Sequence, residues 1–470
     1  MLGAGGGAVD AAIAAIAMAC LCEPVLCSPG AGGFAMVRDG AGGEHRVVDF
    51  FVQTPIERRS DVEPAREVHA DFGTATQGFH IGPATTATPG FVAGIEHLHA
   101  MAGTVPLDAL LAPTVAAARS GIEVTPFQHR LASVVTPIVT ATRAAAALYA
   151  PTGRPLVVDR PFVNPGLGDA FELIGAGRSD VLRAAMMADQ AGRGHLTSED
   201  FERYRVVERT PVAIDVGPAT VSVPPLPTAG GVLAAHTLAR LDALGRVPTA
   251  LDVASAIAAT GRARLEAGGD PARIEPGTLR TRGTTHVSVI DRSGGACAVT
   301  VTNGEGNGEL VDGFGFMLNN VLGEPDVNPS GPERWPTDTR LASMMCPTLV
   351  AWPDGTVDAL GTGGSSRIRS AVAQVVARLC LLGEDPADAV AAPRLHVEVS
   401  ADHGGEDHLD IEAQIGSSVV EQLTTLVPNH RVWPAPDLYF GGVHAVRGHP
   451  DGRRFGAGDA RRDGVAVVVE

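Results

Sequence analysis

The stretch GTTHVSVID, residues 283–291, decides how this chain is interpreted. It follows directly on a polar run rich in Pro, Gly and Arg, PARIEPGTLRTRG, residues 271–283. His286–Asp291 and Ala296–Thr302 are rich in β-branched residues and flank a short turn, which predicts a β-hairpin that begins at Thr284. The polar run has little to bury, so we expect it to be exposed and open to cleavage.

The chemistry of Thr284 depends on the residue before it. Gly283 has no side chain, so its carbonyl is open to attack by the Thr284 hydroxyl. A threonine hydroxyl is a weak nucleophile at neutral pH, but a free α-amine on the same residue, with an ordinary pKa of about 7.7–8.0, can act as its general base. Spacing alone favours the simpler interpretation that Thr284 and Thr285 only begin a β-strand.

Other motifs stand in a fixed order along nearly the whole chain. They are GGGAVDAAIAA at Gly5–Ala15, GAGGF at Gly30–Phe34, TPGFVAG at Thr88–Gly94 and TTHVSVID at Thr284–Asp291. Together they resemble the γ-glutamyltransferase (γ-glutamyltranspeptidase) family of N-terminal nucleophile hydrolases, whose corresponding motifs are GGNAVDAA, GxGGG, TPGxVAG and TTHxSVVD. The resemblance implies cleavage between Gly283 and Thr284, with Thr284 as the nucleophile of the small subunit.

The resemblance also implies the remaining catalytic groups. Thr302, eighteen residues after Thr284, falls where the family keeps a second Thr that hydrogen-bonds the nucleophile. GTGGSSRI at Gly361–Ile368 is similar to GSPGGSRI, whose consecutive backbone N–H groups form the oxyanion hole, here Gly364 and Ser365. Such donors stabilise a developing oxyanion by about 3–4 kcal/mol each.

The implied substrate-binding positions depart from the family. Glu324 matches the acid that holds the substrate amine, and Ser343 matches one Ser of a family SS pair. The family Asn beyond the second Thr meets Gly304 here, so neighbouring Asn303 is the candidate in its place.

The largest departure concerns the family's glutamyl-binding Arg. Asp49–Val52 replaces the DGRE-like strand that carries it, which brings Phe51 to this region. Losing a bidentate guanidinium removes much of the recognition of an α-carboxylate. Arg367, just past the oxyanion loop, is the local cation that could replace it, and a structural ion pair is the alternative role for Arg367.

The resemblance implies an α+β fold, a four-layer αββα sandwich. Residues 1–283 would form the large (α) subunit and residues 284–470 the small (β) subunit, interleaved in one fold as an αβ heterodimer, with further dimerisation left open. The implied reaction is attack on a carbonyl of a small-molecule substrate through an acyl-enzyme, with no metal and no organic cofactor.

The composition of the 470-residue chain agrees with a large globular enzyme. Hydrophobic residues make up 45% and charged residues 19% of the chain, which allows a sizeable core. A formal net charge of −17 disfavours nucleic acid and anionic membranes as partners. Apolar runs such as Ala11–Cys22 are shorter than the roughly 20 residues that span a bilayer. No basic n-region is visible, which predicts a cytoplasmic location, with a signal peptide upstream of Met1 as the alternative.

Periodicity and turn signals predict the elements around these motifs. The expected helices include Ala8–Leu21, Gly231–Leu244, Asp252–Glu266 and Arg367–Leu382. The expected strands include Phe34–Arg38, His45–Phe51, Thr210–Val223 and Gly464–Val469, and a charged loop is expected at Glu57–Asp71.

Three functions compete on this basis. The favoured one is a hydrolase or acylase acting on an acyl group other than γ-glutamyl. The second is a genuine γ-glutamyl hydrolase or transferase. The third is a biosynthetic hydrolase that cleaves a carbon–carbon bond beside a carbonyl, an activity attributed to some relatives in actinobacterial antibiotic pathways. Retention of Thr284, Thr302 and Gly364 argues against a non-enzymatic binding protein.

Overall fold

The computed structural model describes residues 1–40, 42–71, 76–267, 283–324, 327–328, 331–400 and 406–469. Most of the polar run predicted to be exposed, residues 271–282, lies outside these residues. The strands are β1 (Gly32–Arg38), β2 (His45–Phe50), β3 (Arg66–Asp71), β4 (Thr76–Ile81), β5 (Val207–Arg209), β6 (Val212–Val216), β7 (Ala219–Val223), β8 (Thr285–Ile290), β9 (Ala296–Thr302), β10 (Thr348–Ala351), β11 (Val357–Gly361), β12 (Leu395–Glu398), β13 (His408–Glu412), β14 (His430–Trp433), β15 (His444–Gly448) and β16 (Arg454–Ala457).

The helices flank these strands in the chain. They are α1 (Ala8–Cys22), α2 (Phe91–Ala102), α3 (Leu107–Ser120), α4 (Pro126–Val134), α5 (Thr136–Val139), α6 (Arg143–Tyr149), α7 (Pro165–Gly175), α8 (Ser179–Gln190), α9 (Ser198–Arg203), α10 (Ala229–Asp242), α11 (Ala250–Glu266), α12 (Ile368–Ala377), α13 (Pro386–Ala391) and α14 (Ser417–Leu426). No helix among the described residues is long and apolar enough to cross a membrane.

Two antiparallel sheets form the centre of the molecule. The first has the order β5-β2-β1-β9-β8 and the second the order β16-β15-β11-β10-β7-β6. Apolar side chains from both sheets share one buried cluster, which packs the sheets face to face; it includes Phe34, Met36, Val47, Ala298, Leu349, Val357 and Ala359.

Helices cover the outer face of each sheet. Side chains of α1, α2, α3 and α7 join the core on the first sheet, and those of α10, α11 and α12 join the core on the second. The Ala-rich sequence of α1 lets it lie close to the first sheet, where Ala12 and Ala17 are completely buried. The predicted αββα sandwich is therefore confirmed.

Three local predictions are wrong. The charged loop predicted at Glu57–Asp71 ends in β3, which pairs with β4. The single strand predicted at Thr210–Val223 is the hairpin of β6 and β7, because Gly217, with a φ of 55°, reverses the chain in a conformation that favours glycine. The strand predicted at Gly464–Val469 does not form, and its valines, such as Val465, are exposed instead of paired in a sheet.

Candidate active site

The hairpin of β8 and β9 explains the spacing of the two candidate threonines. Thr285 pairs with Val301 in the antiparallel register. One residue further out, Thr284 therefore lies opposite Thr302 at the open end of the hairpin. Their separation of eighteen positions is the length of hairpin that brings the chain back from one threonine to the other.

Hydrogen bonds hold Gly283, the residue before Thr284, at both its N–H and its carbonyl group. The Thr302 hydroxyl donates a hydrogen bond to the carbonyl oxygen of Gly283 and accepts one from the N–H of Gly304 at 3.1 Å. The N–H of Gly283 donates to Oε1 of Glu305 at 3.1 Å. A hydroxyl donor on this carbonyl polarises the carbon that the Thr284 hydroxyl would attack.

Gly304 lies against the side chains of Asn320 and Glu324. Its φ is +65°, and a β-carbon there would collide with the side-chain oxygens of Asn320 and Glu324. Asn320 in turn accepts a hydrogen bond from the N–H of Glu305 at 3.0 Å. Glu324 therefore lies beside Gly304, the residue before Glu305, whose carboxylate accepts the hydrogen bond from Gly283.

The candidate oxyanion loop lies against the backbone of Thr284. A β-carbon on Gly363 would collide with the Thr284 carbonyl oxygen. Gly364 has a φ of 140° and Ser365 a φ of 54°, the latter in a region that serine rarely adopts and that is strained. Strain of this kind clusters at functional sites, which is in keeping with the predicted role of these two N–H groups.

A narrow cleft opens beside Thr284, which is 7% exposed. Glu23 and Arg462 line it together with Thr285. The Glu23 carboxylate accepts a hydrogen bond from the Thr285 hydroxyl, and burial raises the pKa of Glu23 above its ordinary value. Burial lowers the pKa of Arg462 to about 10, so its guanidinium is still charged at neutral pH.

Two histidines, His286 and His444, also line this cleft. The ring nitrogens of His286 are hydrogen-bonded to the hydroxyls of Thr300 at 2.8 Å and Ser288 at 2.7 Å. Burial, with His444 nearby, holds the pKa of His286 well below its ordinary value, and burial lowers the pKa of His444 to about 4. Both imidazoles are therefore neutral at pH 7.

Phe51 does not face this cleft. Its side chain is 1% exposed, and its ring packs 5.5 Å from the ring of Phe34, between centroids, in the cluster between the two sheets. Its carbonyl oxygen accepts hydrogen bonds from the Tyr204 hydroxyl at 2.7 Å and from Arg340 at 2.6 Å. Phe51 therefore builds the core behind the site.

Asn303 and Ser343 are also held by their own neighbours. The side-chain oxygen of Asn303 accepts from the Ser28 hydroxyl at 2.9 Å. The hydroxyl of Ser343 accepts from the N–H of Met345 at 3.1 Å. Both side chains fix the loops in which they lie, and neither is among the residues that line the Thr284 cleft.

Arg367 is buried and stacked on an aromatic ring. Its guanidinium lies 4.5 Å from the ring centroid of Tyr439 and donates to the Tyr439 carbonyl oxygen at 3.2 Å. It also donates to the Ser366 hydroxyl at 3.2 Å. These contacts anchor the end of the oxyanion loop.

Sequence reasoning missed Glu23, Glu305 and Arg462. Glu23 and Arg462 lie far apart in sequence and meet only in the folded chain, so no motif joins them. Glu305 lies inside GEGNG, residues 304–308, where the glycines on both sides indicate a tight turn and give no sign of a role for the acid between them. Among the residues that the structure describes, no group of three His, Cys, Asp or Glu side chains could hold a metal ion.

Comparison with known proteins identifies the family of this chain. The sequence profile described as Gamma-glutamyltranspeptidase matches residues 1–259 and 254–469. The chain belongs to the gamma-glutamyltranspeptidase family. It is thus an enzyme of the hydrolase and acyltransferase type, and the sequence-based family prediction is confirmed.

Two sequence relatives of this chain match over most of their length. The Acylase ACY 1 proenzyme from a Pseudomonas species is 26% identical over 99% of this chain and 90% of its own. The Glutathione hydrolase proenzyme of Escherichia coli is 27% identical over 97% of this chain and 87% of its own. A solved structure, a cephalosporin acylase from Bacillus halodurans, superposes with a TM-score of 0.81 at 21% identity, covering 99% of this chain and 92% of that one, which shows the shared fold.

Proposed function

We propose that this chain is a precursor that cleaves itself between Gly283 and Thr284 and then uses Thr284 as an N-terminal nucleophile. The observation that carries the proposal is the hydrogen bond from the Thr302 hydroxyl to the Gly283 carbonyl oxygen. Cleavage would divide the chain into residues 1–283 and 284–470, which stay together as an αβ pair because their strands share both sheets. The Pseudomonas acylase and the Escherichia coli glutathione hydrolase named above are proenzymes, which supports a maturation step.

Once the chain is cut, the roles of the site residues change. The new α-amine of Thr284 becomes the general base for its own hydroxyl. Thr302, no longer bonded to the Gly283 carbonyl, orients the nucleophile. The N–H groups of Gly364 and Ser365 stabilise the oxyanion formed when Thr284 attacks a substrate carbonyl, and an acyl-enzyme follows.

We infer that the acyl group is not γ-glutamyl. Phe51 occupies the region of the family's glutamyl-binding Arg and is packed in the core. Arg367 is committed to Tyr439. The cation that lines the cleft, Arg462, already faces the negative charge of the Glu23 carboxylate. An α-carboxylate that is desolvated without a cation of its own costs several kcal/mol. An acylase of the family is therefore the function that this site supports best.

The maturation claim is tested on a denaturing gel. Purified protein is expected to run as two fragments, and Edman sequencing of the smaller one should begin at Thr284. Thr284→Ala is expected to stay whole, whereas Thr284→Ser, which keeps a hydroxyl, still divides. An intact chain with full activity would rule out maturation at this bond, and division of Thr284→Ala there would point to an outside protease.

The substrate claim is tested by kinetics on mature enzyme. We expect little turnover of glutathione or γ-glutamyl anilides compared with glutaryl and short oxo-acid substrates. Arg367→Ala is compared with Arg378→Ala, a matched arginine at the other end of α12 that pairs with Glu384. Efficient γ-glutamyl transfer by the wild-type enzyme, with kcat/KM above about 10⁴ M⁻¹s⁻¹, would make the protein a γ-glutamyl enzyme. Loss of that transfer in Arg367→Ala, with turnover of the other substrates kept, would assign the carboxylate to Arg367.

A further inference from the structure

Self-cleavage needs a proton acceptor that the mature enzyme does not need. In the uncut chain the nitrogen of Thr284 belongs to a peptide bond, so it cannot accept the proton of the Thr284 hydroxyl. The amine that serves as base after cleavage is a product of the reaction. Another group of the precursor must therefore take this proton.

The titratable groups that line the cleft beside Thr284 offer one suitable acceptor. Arg462 is a cation and has no proton-accepting site. Both ring nitrogens of His286 are engaged with hydroxyls. The pKa of His444, lowered by burial to about 4, makes it a weak base. The remaining group is the Glu23 carboxylate.

The position of Glu23 is set by the fold. It follows directly on α1, where its backbone N–H donates to the Ala19 carbonyl oxygen at 2.7 Å. Its carboxylate accepts a hydrogen bond from the hydroxyl of Thr285, the residue after Thr284. The end of helix α1 thus places the Glu23 carboxylate beside the bond between Gly283 and Thr284.

The charges around Glu23 suit a proton acceptor. Burial raises its pKa, which makes it a stronger base than an exposed carboxylate, while Thr285 and Arg462 limit that rise. Nε and Nη2 of Arg462 are buried and have no hydrogen-bond partner among the described residues, and Arg462 acts on the pKa of Glu23 through its charge. Cys22 also faces the carboxylate, and burial with the Glu23 charge raises the pKa of that thiol to about 11, so it stays protonated and neutral.

We propose that Glu23 accepts the proton of the Thr284 hydroxyl during self-cleavage and returns it to the Thr284 nitrogen. This rests on the proposed cleavage between Gly283 and Thr284. The Thr284 oxygen bonds to the Gly283 carbon as its proton moves to Glu23, and the carbonyl electrons become an oxyanion held by Thr302. The C–N bond then breaks, protonated Glu23 gives its proton to the nitrogen, and an ester remains. Water hydrolyses this ester to the Gly283 carboxylate and the free Thr284 hydroxyl.

The test follows the first-order rate of precursor division between pH 5 and pH 9. The wild-type rate is expected to rise with pH and to level off once Glu23 is ionised. Glu23→Gln keeps the shape of the side chain but cannot accept a proton, so its rate should fall by about 100-fold or more and lose this rise. Glu23→Ala should be accelerated by added formate, a carboxylate small enough for the space left by the side chain.

Thr285→Val is the matched control. It removes the hydrogen bond that stabilises the ionised carboxylate but leaves the carboxylate in place. Its rate should keep the rise with pH, and the midpoint should move to higher pH because the Glu23 pKa rises further. A merely structural Glu23 would make Thr285→Val as slow as Glu23→Gln, without a shifted midpoint.

The outcomes separate this inference from the proposed function. Division of Glu23→Gln at the wild-type rate and with the wild-type pH profile would overturn the role of Glu23 while self-cleavage stands. Failure of formate to accelerate Glu23→Ala, with an unshifted Thr285→Val profile, would overturn it as well. A wild-type chain that never divides before Thr284 would instead overturn the maturation claim itself.

Discussion

Replacing Thr302 by valine should slow maturation far more than it destabilises the fold. Valine has nearly the same shape but no hydroxyl, so the Gly283 carbonyl oxygen loses its donor and the Gly304 N–H loses its acceptor. In the ground state a neutral hydrogen bond contributes only about 0.5–1.5 kcal/mol. In the transition state the same carbonyl oxygen carries a negative charge, and losing one such donor costs about 3–4 kcal/mol, or 10²–10³ in rate.

The assay compares two measurements on the same variants. Division of freshly made precursor is followed on denaturing gels, and stability is followed by urea unfolding. Thr302→Ser keeps a hydroxyl that can make both hydrogen bonds, so it should mature within about tenfold of wild type. The reasoning would be refuted if Thr302→Val matured at the wild-type rate, or if Thr302→Ser were as slow as Thr302→Val while both remained fully folded.

Two further predictions concern stability. Burial lowers the pKa of His444 to about 4, so between about pH 6.5 and pH 4 its imidazole is protonated in the unfolded chain but neutral in the folded chain. The free energy of unfolding should therefore be highest above about pH 6.5 and fall by up to about 3 kcal/mol as the pH falls towards 4. Urea unfolding at pH 7, 5.5 and 4 checks it, and His444→Gln should fall less steeply than wild type. Arg340→Met should destabilise the protein by about 3 kcal/mol. Among the residues that the structure describes, it leaves the fully buried Asp49 with the partly exposed Arg209 as its one ion partner. The control Arg46→Met, at an exposed pair, should cost less than about 1 kcal/mol, and equal losses in the two variants would contradict the argument.

The hairpin of β8 and β9 could be predicted because its determinants are local. Alternating β-branched residues, a Gly-containing turn and the spacing from Thr284 to Thr302 are properties of one short stretch of chain, and the register of β8 with β9 follows from them. The buried helix α1 was predictable for the same reason, since an unbroken run of alanine and other apolar residues favours a helix that packs closely. Where two strands were separated only by a tight turn, as at Gly217, the pattern was interpreted as a single strand.

The sequence by itself determined the family, the αββα architecture and the candidate nucleophile, because each is encoded in motifs whose residues are close together in the chain. Only the tertiary structure decided what surrounds the junction. In the folded chain Phe51 packs in the core and Arg367 stacks on Tyr439. Glu23 and Arg462, which are far apart in sequence, line one cleft. Contacts between residues hundreds of positions apart arise when whole layers pack together, and this packing is driven by hydrophobic burial. Because burial is not directional, no local sequence pattern identifies which distant residues will meet.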